Sequence, residues 1–236
     1  MTRSSDMRGN TPQQAPPRQD CGSRSQGGPA HLSRKEREIQ RHRLELLEAA
    51  EKLLARKRFH EITVQDIALE SEFSVGYIYK LYPHKDDILA VLIRDKLSQL
   101  RSLIDRNLEA PGAWDERILN MLTAAFTWLD ETPAYRSGVT PDLNLFARTH
   151  PGVAADLAGF LEFFRGRIQL LFSEGLRLGH LAEDEPGTIA RTFRALMSGF
   201  SEDRLLEQSP EENLTKHAPL IVRVIKRAFA PEGSDR

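Results

Sequence analysis

The sequence predicts an all-α protein, and three observations carry that expectation. From Ser33 onward, helix-start signals recur, each followed by apolar residues at helical spacing. Alternating strand-like runs are absent. Two short helical segments between Ile62 and Tyr82 meet at a tight turn, the outline of a helix-turn-helix. The expected architecture is an N-terminal three-helix helix-turn-helix domain followed by about six further helices.

The first helix opens at Ser33-Arg34-Lys35-Glu36, where hydroxyl and carboxylate can each satisfy a free backbone N–H. Ile39, Leu46, Leu47, Ala50, Leu53 and Leu54 follow at helical spacing, with charges opposite. Thr63-Val64-Gln65-Asp66 repeats the cap for a short second helix containing Ile67 and Ala68. Ser74 caps a third, in which Ile78 turns inward toward Ile67 and Leu47. The fourth runs from Lys85 to Leu108, with Ile88, Leu89, Leu92, Ile93, Leu97, Leu100 and Ile104 on one side. Thr132-Pro133, Thr140-Pro141 and Ser209-Pro210 mark further starts, because proline suits the first helical position.

Residues before Ser33 carry four prolines, four glycines and almost no large apolar side chain. Such a segment cannot bury enough surface to offset its ordering entropy, so residues 1–32 read as a disordered tail. A single cysteine, Cys21 in that tail, excludes an intramolecular disulfide and suits a reducing compartment. No apolar run approaches the roughly 18 residues of a membrane span, and the N-terminus lacks a secretory signal. A cytoplasmic protein without membrane partners is expected.

The net charge of −1 hides an asymmetry. Residues 1–58 hold 13 Lys/Arg against 7 Asp/Glu, a basic front on a mildly acidic body that fits an anionic partner. In a helix-turn-helix the second helix enters the major groove of double-stranded DNA with its N-terminal face leading. Here that face presents Val75, Gly76, Tyr77 and Lys80: a methyl-contacting side chain, a close backbone approach, a ring with a hydroxyl, and a cation. Tyr79 and Lys80 reach phosphates or bases.

The segment from Ile62 to Leu92 resembles the DNA-binding domain of the TetR family of repressors, within a similarity that runs from Ile39 onward. It supplies Thr63-Val64, Ile67-Ala68, Ser74-Val75-Gly76-Tyr77-Ile78-Tyr79, Leu81-Tyr82-Pro83 and Lys85-Asp86-Asp87-Ile88-Leu89 at the family's spacing. The resemblance implies that Thr63 caps its helix and donates to a phosphate. It also implies that Tyr79 packs the recognition helix and touches the DNA backbone, and that Lys85 meets a phosphate at the fourth helix's N-terminus. There are departures. Glu72 stands where the family has glycine, which predicts a costly positive φ; Leu81 and Tyr82 replace the usual aromatic pair, and His84 replaces a better cap.

By the same resemblance, residues 33–83 form the DNA-binding domain, 84–231 bind a small-molecule effector and dimerise, and 232–236 form a short tail. Trp114–Leu129 and Val153–Leu178 are apolar over more than one face, so their aromatics either fill a core or surround a cavity. Phe126, Trp128, Phe146, Phe163, Phe164 and Arg167 are the candidate pocket, with Tyr135, Asn144 and Arg165 as further polar groups. Arg165 and Arg167 either anchor a ligand carboxylate or pair with Glu162, Asp156 or Glu174. The last two helices read as a dimer surface, as the family resemblance implies, or else as packing within the chain, through Ile189, Phe193, Met197, Phe200, Ile221, Val224, Ile225 and Ala228. Pro219 bends the last helix or marks its start.

No catalytic or metal-binding motif stands out. The histidines are scattered, no phosphate-binding loop or nucleophile elbow is present, and Glu183-Asp184-Glu185 reads as a solvated helix cap. The expected protein is a homodimeric, operator-binding repressor without cofactor, released by a small, largely apolar ligand.

Overall fold

A computed structural model describes residues 33–132, 139–182, 185–206 and 213–231, the side chains of 139–142, 144 and 202–206 excepted. Nine α-helices and two short 3-10 turns occur among the described residues, and no strand does. They are α1 (Arg34–Leu54), α2 (Val64–Ser71), α3 (Val75–Leu81), α4 (Lys85–Glu109), α5 (Trp114–Glu131), α6 (Val139–Thr149), α7 (Pro151–Arg177), α8 (Pro186–Leu206) and α9 (Ala218–Ala228). The 3-10 turns, Phe59–Glu61 and Leu214–His217, precede α2 and α9. The expected tails at 1–32 and 232–236, and the helix starts at Pro133 and Ser209, lie outside the described residues.

The caps form as their residue types dictate. Ser33 Oγ accepts from the Glu36 N–H at 3.2 Å while the Glu36 carboxylate takes the Ser33 N–H at 2.7 Å. Thr63 and Asp66 do the same for α2, at 3.1 and 2.8 Å. Thr132 ends α5, its hydroxyl donating to the Trp128 carbonyl at 2.6 Å. Glu72 does take the left-handed conformation, φ 59°, that a β-carbon disfavours. Pro219 falls in the first turn of α9, where its missing N–H costs no helical hydrogen bond.

Two hydrophobic clusters organise the chain. The first gathers Leu46, Leu47, Leu53 and Leu54 of α1, Ile67 of α2, Ile78 of α3 and the first half of α4, from Ile88 to Leu97. Phe146 of α6 and Val153 of α7 complete it, so this core extends well beyond residue 83. The second is built from the end of α4 (Ile104, Leu108), α5, α7, α8 and α9. Phe160 packs against both.

Within the second cluster the Trp114 indole lies across α7, donating to the Leu171 carbonyl at 2.8 Å. A β-carbon on Gly175 would sit 2.6 Å from the indole ring, so only glycine fits that turn of α7. Arg117 donates to the Leu108 carbonyl at 2.9 Å and to Glu174, joining the end of α4, α5 and α7.

Two outcomes follow. Gly175→Ala gains helix propensity of up to about 1 kcal/mol but overpacks the core at about 1–3 kcal/mol. Denaturant unfolding should therefore show net destabilisation, relieved when Trp114→Phe is added; a stabilised single variant would contradict this packing. The second concerns acid. The Thr63 backbone N–H, then Lys57 at 2.9 Å and the Thr63 hydroxyl, hold the Asp66 carboxyl at about 2, below its ordinary 3.8. A depressed folded-state value adds stability above the unfolded value and loses it as pH falls through about 2. The stability gap between the native chain and Asp66→Asn should thus close between pH 4 and pH 2, roughly the window set by the two values. A gap constant with pH would contradict it.

Candidate nucleic-acid interface

Helix α3 is short and owes its placement to its neighbours, since two turns are not stable alone. Ser74 Oγ accepts from the Tyr77 N–H at 3.2 Å, and Ile78, 1% exposed, is the helix's one buried residue. Val75 is half-buried against the same core. Gly76, Tyr79 and Lys80 face outward together, Tyr79 being 49% exposed. A β-carbon on Gly76 would meet nothing within 4 Å. Among the described residues, no packing requires glycine there.

Three sequence expectations are corrected by the geometry. Tyr77 does not stand on the outward face: its hydroxyl shares a 2.6 Å hydrogen bond with His42 Nδ1 of α1. Its ring is half-buried, with Phe73 and His42 centroids 5.4 and 5.5 Å away. The Thr63 hydroxyl donates to Asp66 at 2.8 Å, so its proton already has an acceptor. The Lys85 ammonium turns inward, donating to the Ile62 carbonyl at 2.8 Å and to that of Phe59 at 3.3 Å. It also lies 4.5 Å from the centre of the Phe59 ring. Lys85 thus pins the first turn of α4 to the segment that precedes α2.

His42 and Phe73 are the residues that sequence reasoning missed. The signal was present, because position 42 lies one turn before Leu46 on the buried stripe of α1.

The candidate pocket residues do not converge. Phe126 is fully buried in the second cluster, and Phe164 lies in its wall. Phe146 belongs to the first cluster, its ring edge against Phe59 at 5.0 Å. Trp128 is half-buried on α5, and Phe163 lies under the Arg101 guanidinium at 4.9 Å. Arg167 is committed to Asp105 at 2.8 Å and Glu109 at 2.7 Å of α4, neither of which was among its expected partners. Arg165 does pair with Glu162. Tyr135 and the Asn144 side chain lie outside the described residues. Of the six, Phe164 borders an open groove of about 290 Å³ between α7 and α8, with Ile168 beside it and Arg165, Arg191, Arg194 and the Glu185 carboxylate around it.

The expected dimer residues divide as well. Ile189, Phe193, Ile221 and Ile225 are at most 1% exposed and pack inside the chain, which corrects their assignment to a partner surface. Met197 and Phe200 are half-buried, Val224 is 37% exposed, and Ala228 is exposed. No group of metal-ligating side chains occurs among the described residues. None of the described helices is long and apolar enough to cross a membrane.

Residues 46–92 match the family described as bacterial regulatory proteins, tetR family. The match runs from the buried face of α1 through α3 to the middle of α4. An uncharacterised HTH-type transcriptional regulator of Bacillus subtilis, YfiR, is 26% identical over 78% of this chain and 91% of its own length. Among solved structures, the fatty acid degradation regulator FadR of Bacillus halodurans superposes with a TM-score of 0.67. It does so at 15% identity, over 83% of this chain and 96% of that one. The FadR of Bacillus subtilis, solved in complex with stearoyl-CoA, superposes with a TM-score of 0.62 at 17% identity, over 79% and 98%. Residues 46–92 thus carry the helix-turn-helix of the tetR family of bacterial regulatory proteins, and the chain shares the all-helical fold of the two FadR structures.

Proposed function

We propose that the chain is a repressor that binds a palindromic operator as a homodimer, with α3 of each subunit in the major groove. The observation that carries this reading is the outward face of α3. Gly76, Tyr79 and Lys80 are held outward by a core-anchored back, with no reason for the glycine in packing among the described residues. A missing side chain at Gly76 lets the helix backbone approach base edges, while Tyr79 and Lys80 reach bases or phosphates beside it. Ser74 and Val75 lead the helix into the groove, and Thr63 and Lys85 brace the elements behind it. Residues 33–83, with the first half of α4, form the DNA-binding unit; the remainder binds effector and dimerises.

For the dimer, the outward residues Met197 and Phe200 of α8 and Val224 and Ala228 of α9 are the surface, backed by the buried Phe193 and Ile225. For the effector, the groove between α7 and α8 offers an apolar wall beside three arginines. Arg191 and Arg194 have no ion-pair partner among the described residues. That lining suits a compound with an apolar body and an anionic end. The stearoyl-CoA bound by the Bacillus subtilis FadR has that character and is the probe of choice. Binding there favours a state whose two recognition helices no longer match successive grooves, through its differential affinity for the two states. A repressor acting at such an operator works in the cytoplasm.

Duplexes selected from a random library by the full chain supply the operator for the test. Gly76→Ala should leave the melting temperature unchanged or raised, since the added methyl meets nothing and favours helix. It should nevertheless weaken operator binding by about 1–3 kcal/mol, the size of a lost base contact. Undiminished binding would place the reading surface elsewhere. Arg191→Ala combined with Arg194→Ala should raise the stearoyl-CoA concentration that releases the operator by roughly tenfold, the loss expected of a charge-assisted contact. Operator affinity without effector should not change. An unaltered release curve would move the effector site away from this groove.

A further inference from the structure

Helix α3 has one fully buried side chain, Ile78, near its middle. A single buried anchor fixes a short rod's position but lets it rock and roll about that point. The residues that restrain the rocking therefore decide where Gly76, Tyr79 and Lys80 aim. On the N-terminal half of α3 that restraint comes from three rings. His42 of α1 and Phe73, the residue before the Ser74 cap, have centroids 5.0 Å apart with planes at 60°. His42 and Tyr77 are 5.5 Å apart at 77°, and Phe73 and Tyr77 are 5.4 Å apart, closing a triangle. The hydrogen bond between the Tyr77 hydroxyl and His42 Nδ1, 2.6 Å, gives the triangle a direction that ring packing alone lacks. On its other side His42 Nε2 lies 3.4 Å from the Arg41 guanidinium. Behind His42, α1 is rigid: six of its residues are buried, and Glu51 pairs with Lys96 of α4 at 2.7 Å.

We propose that His42 is a positioning residue for operator recognition, which sets the pitch of the recognition helix through Tyr77 without itself touching DNA. The proposal rests on the DNA-reading role of α3 given above. A base contact demands placement to a fraction of an ångström, whereas a phosphate contact from a long flexible side chain tolerates a tilt. Loosening the His42–Tyr77 bond should accordingly erode discrimination between sequences more than overall affinity for DNA.

The test uses Tyr77→Phe, which keeps the ring and removes the hydroxyl, His42→Phe, which keeps a ring and removes the nitrogens, and the double variant. Each single variant should lower the ratio of operator to random-duplex affinity roughly three- to tenfold, the range of one hydrogen bond. Affinity for random duplex and its salt dependence should stay at the native values. In the free protein, amide exchange across residues 75–81 should quicken. The double variant should be no worse than either single one, because both act by removing the same bond. Unchanged discrimination in the single variants, or losses that add in the double variant, would overturn the proposal. If the native chain discriminated between no sequences, the DNA-reading role itself would fail. The exchange measurement would still decide on the restraint, with unaltered exchange at residues 75–81 overturning it.

Discussion

The rest of the structure depends on one constraint: α4 is buried at both ends in different cores. From Ile88 to Leu97 it closes the core under the helix-turn-helix, and from Ile104 to Leu108 it closes the core of the body. A rigid helix shared in this way cannot shift in one core without being felt in the other, because packed interiors yield little to displacement. Lys85 fastens its first turn to the carbonyls of Phe59 and Ile62, just before the α2 cap. Further along, Arg94 of α4 holds Asp156 of α7 at 2.9 Å, and Arg167 of α7 holds Asp105 and Glu109 near the helix's end. Any movement of α7, which walls the groove beside α8, is thereby applied to α4 along much of its length.

The same arrangement explains the division of labour around α3. Side chains that hold the helix in place are drawn inward: Ile78 into the core, Tyr77 onto His42, Val75 against the neighbouring helices. What remains outside is one short face. A recognition surface of this kind is defined as much by the polar groups already satisfied within the chain as by those left over. The carboxylate of Asp66 and the ammonium of Lys85 illustrate this, since both sit at helix starts where a free charge would otherwise meet solvent or phosphate.

The fold was legible in the sequence wherever local chemistry decides the outcome. Ser33, Thr63 and Ser74 cap the helices they were expected to cap, and apolar spacing located α1, α4, α5 and α7 within a few residues. The resemblance carried by Ser74 to Tyr79 located the helix-turn-helix. What could not be read was the choice among distant polar partners. Tyr77 lies 35 residues from His42, Lys85 lies 23 from Ile62, and Arg167 lies 58 from Glu109. Periodicity shows which face of a helix is apolar but not which neighbour covers it. Ile189, Phe193, Ile221 and Ile225 were therefore assigned to a partner subunit when the chain's own helices bury them. Phe146 was grouped with Phe126 for the same reason, though the two lie in separate cores.

The central claim, that the outward face of α3 reads duplex DNA, is tested most directly by hydroxyl-radical labelling of the full chain with and without its selected duplex. Tyr79 is 49% exposed and readily oxidised when free, whereas Leu145, 64% exposed, lies on α6 and Leu170, 66% exposed, lies on α7. The account predicts that duplex protects Tyr79 while Leu145 and Leu170 are labelled as before. Protection of the two leucines with Tyr79 labelled as in the free protein would contradict it.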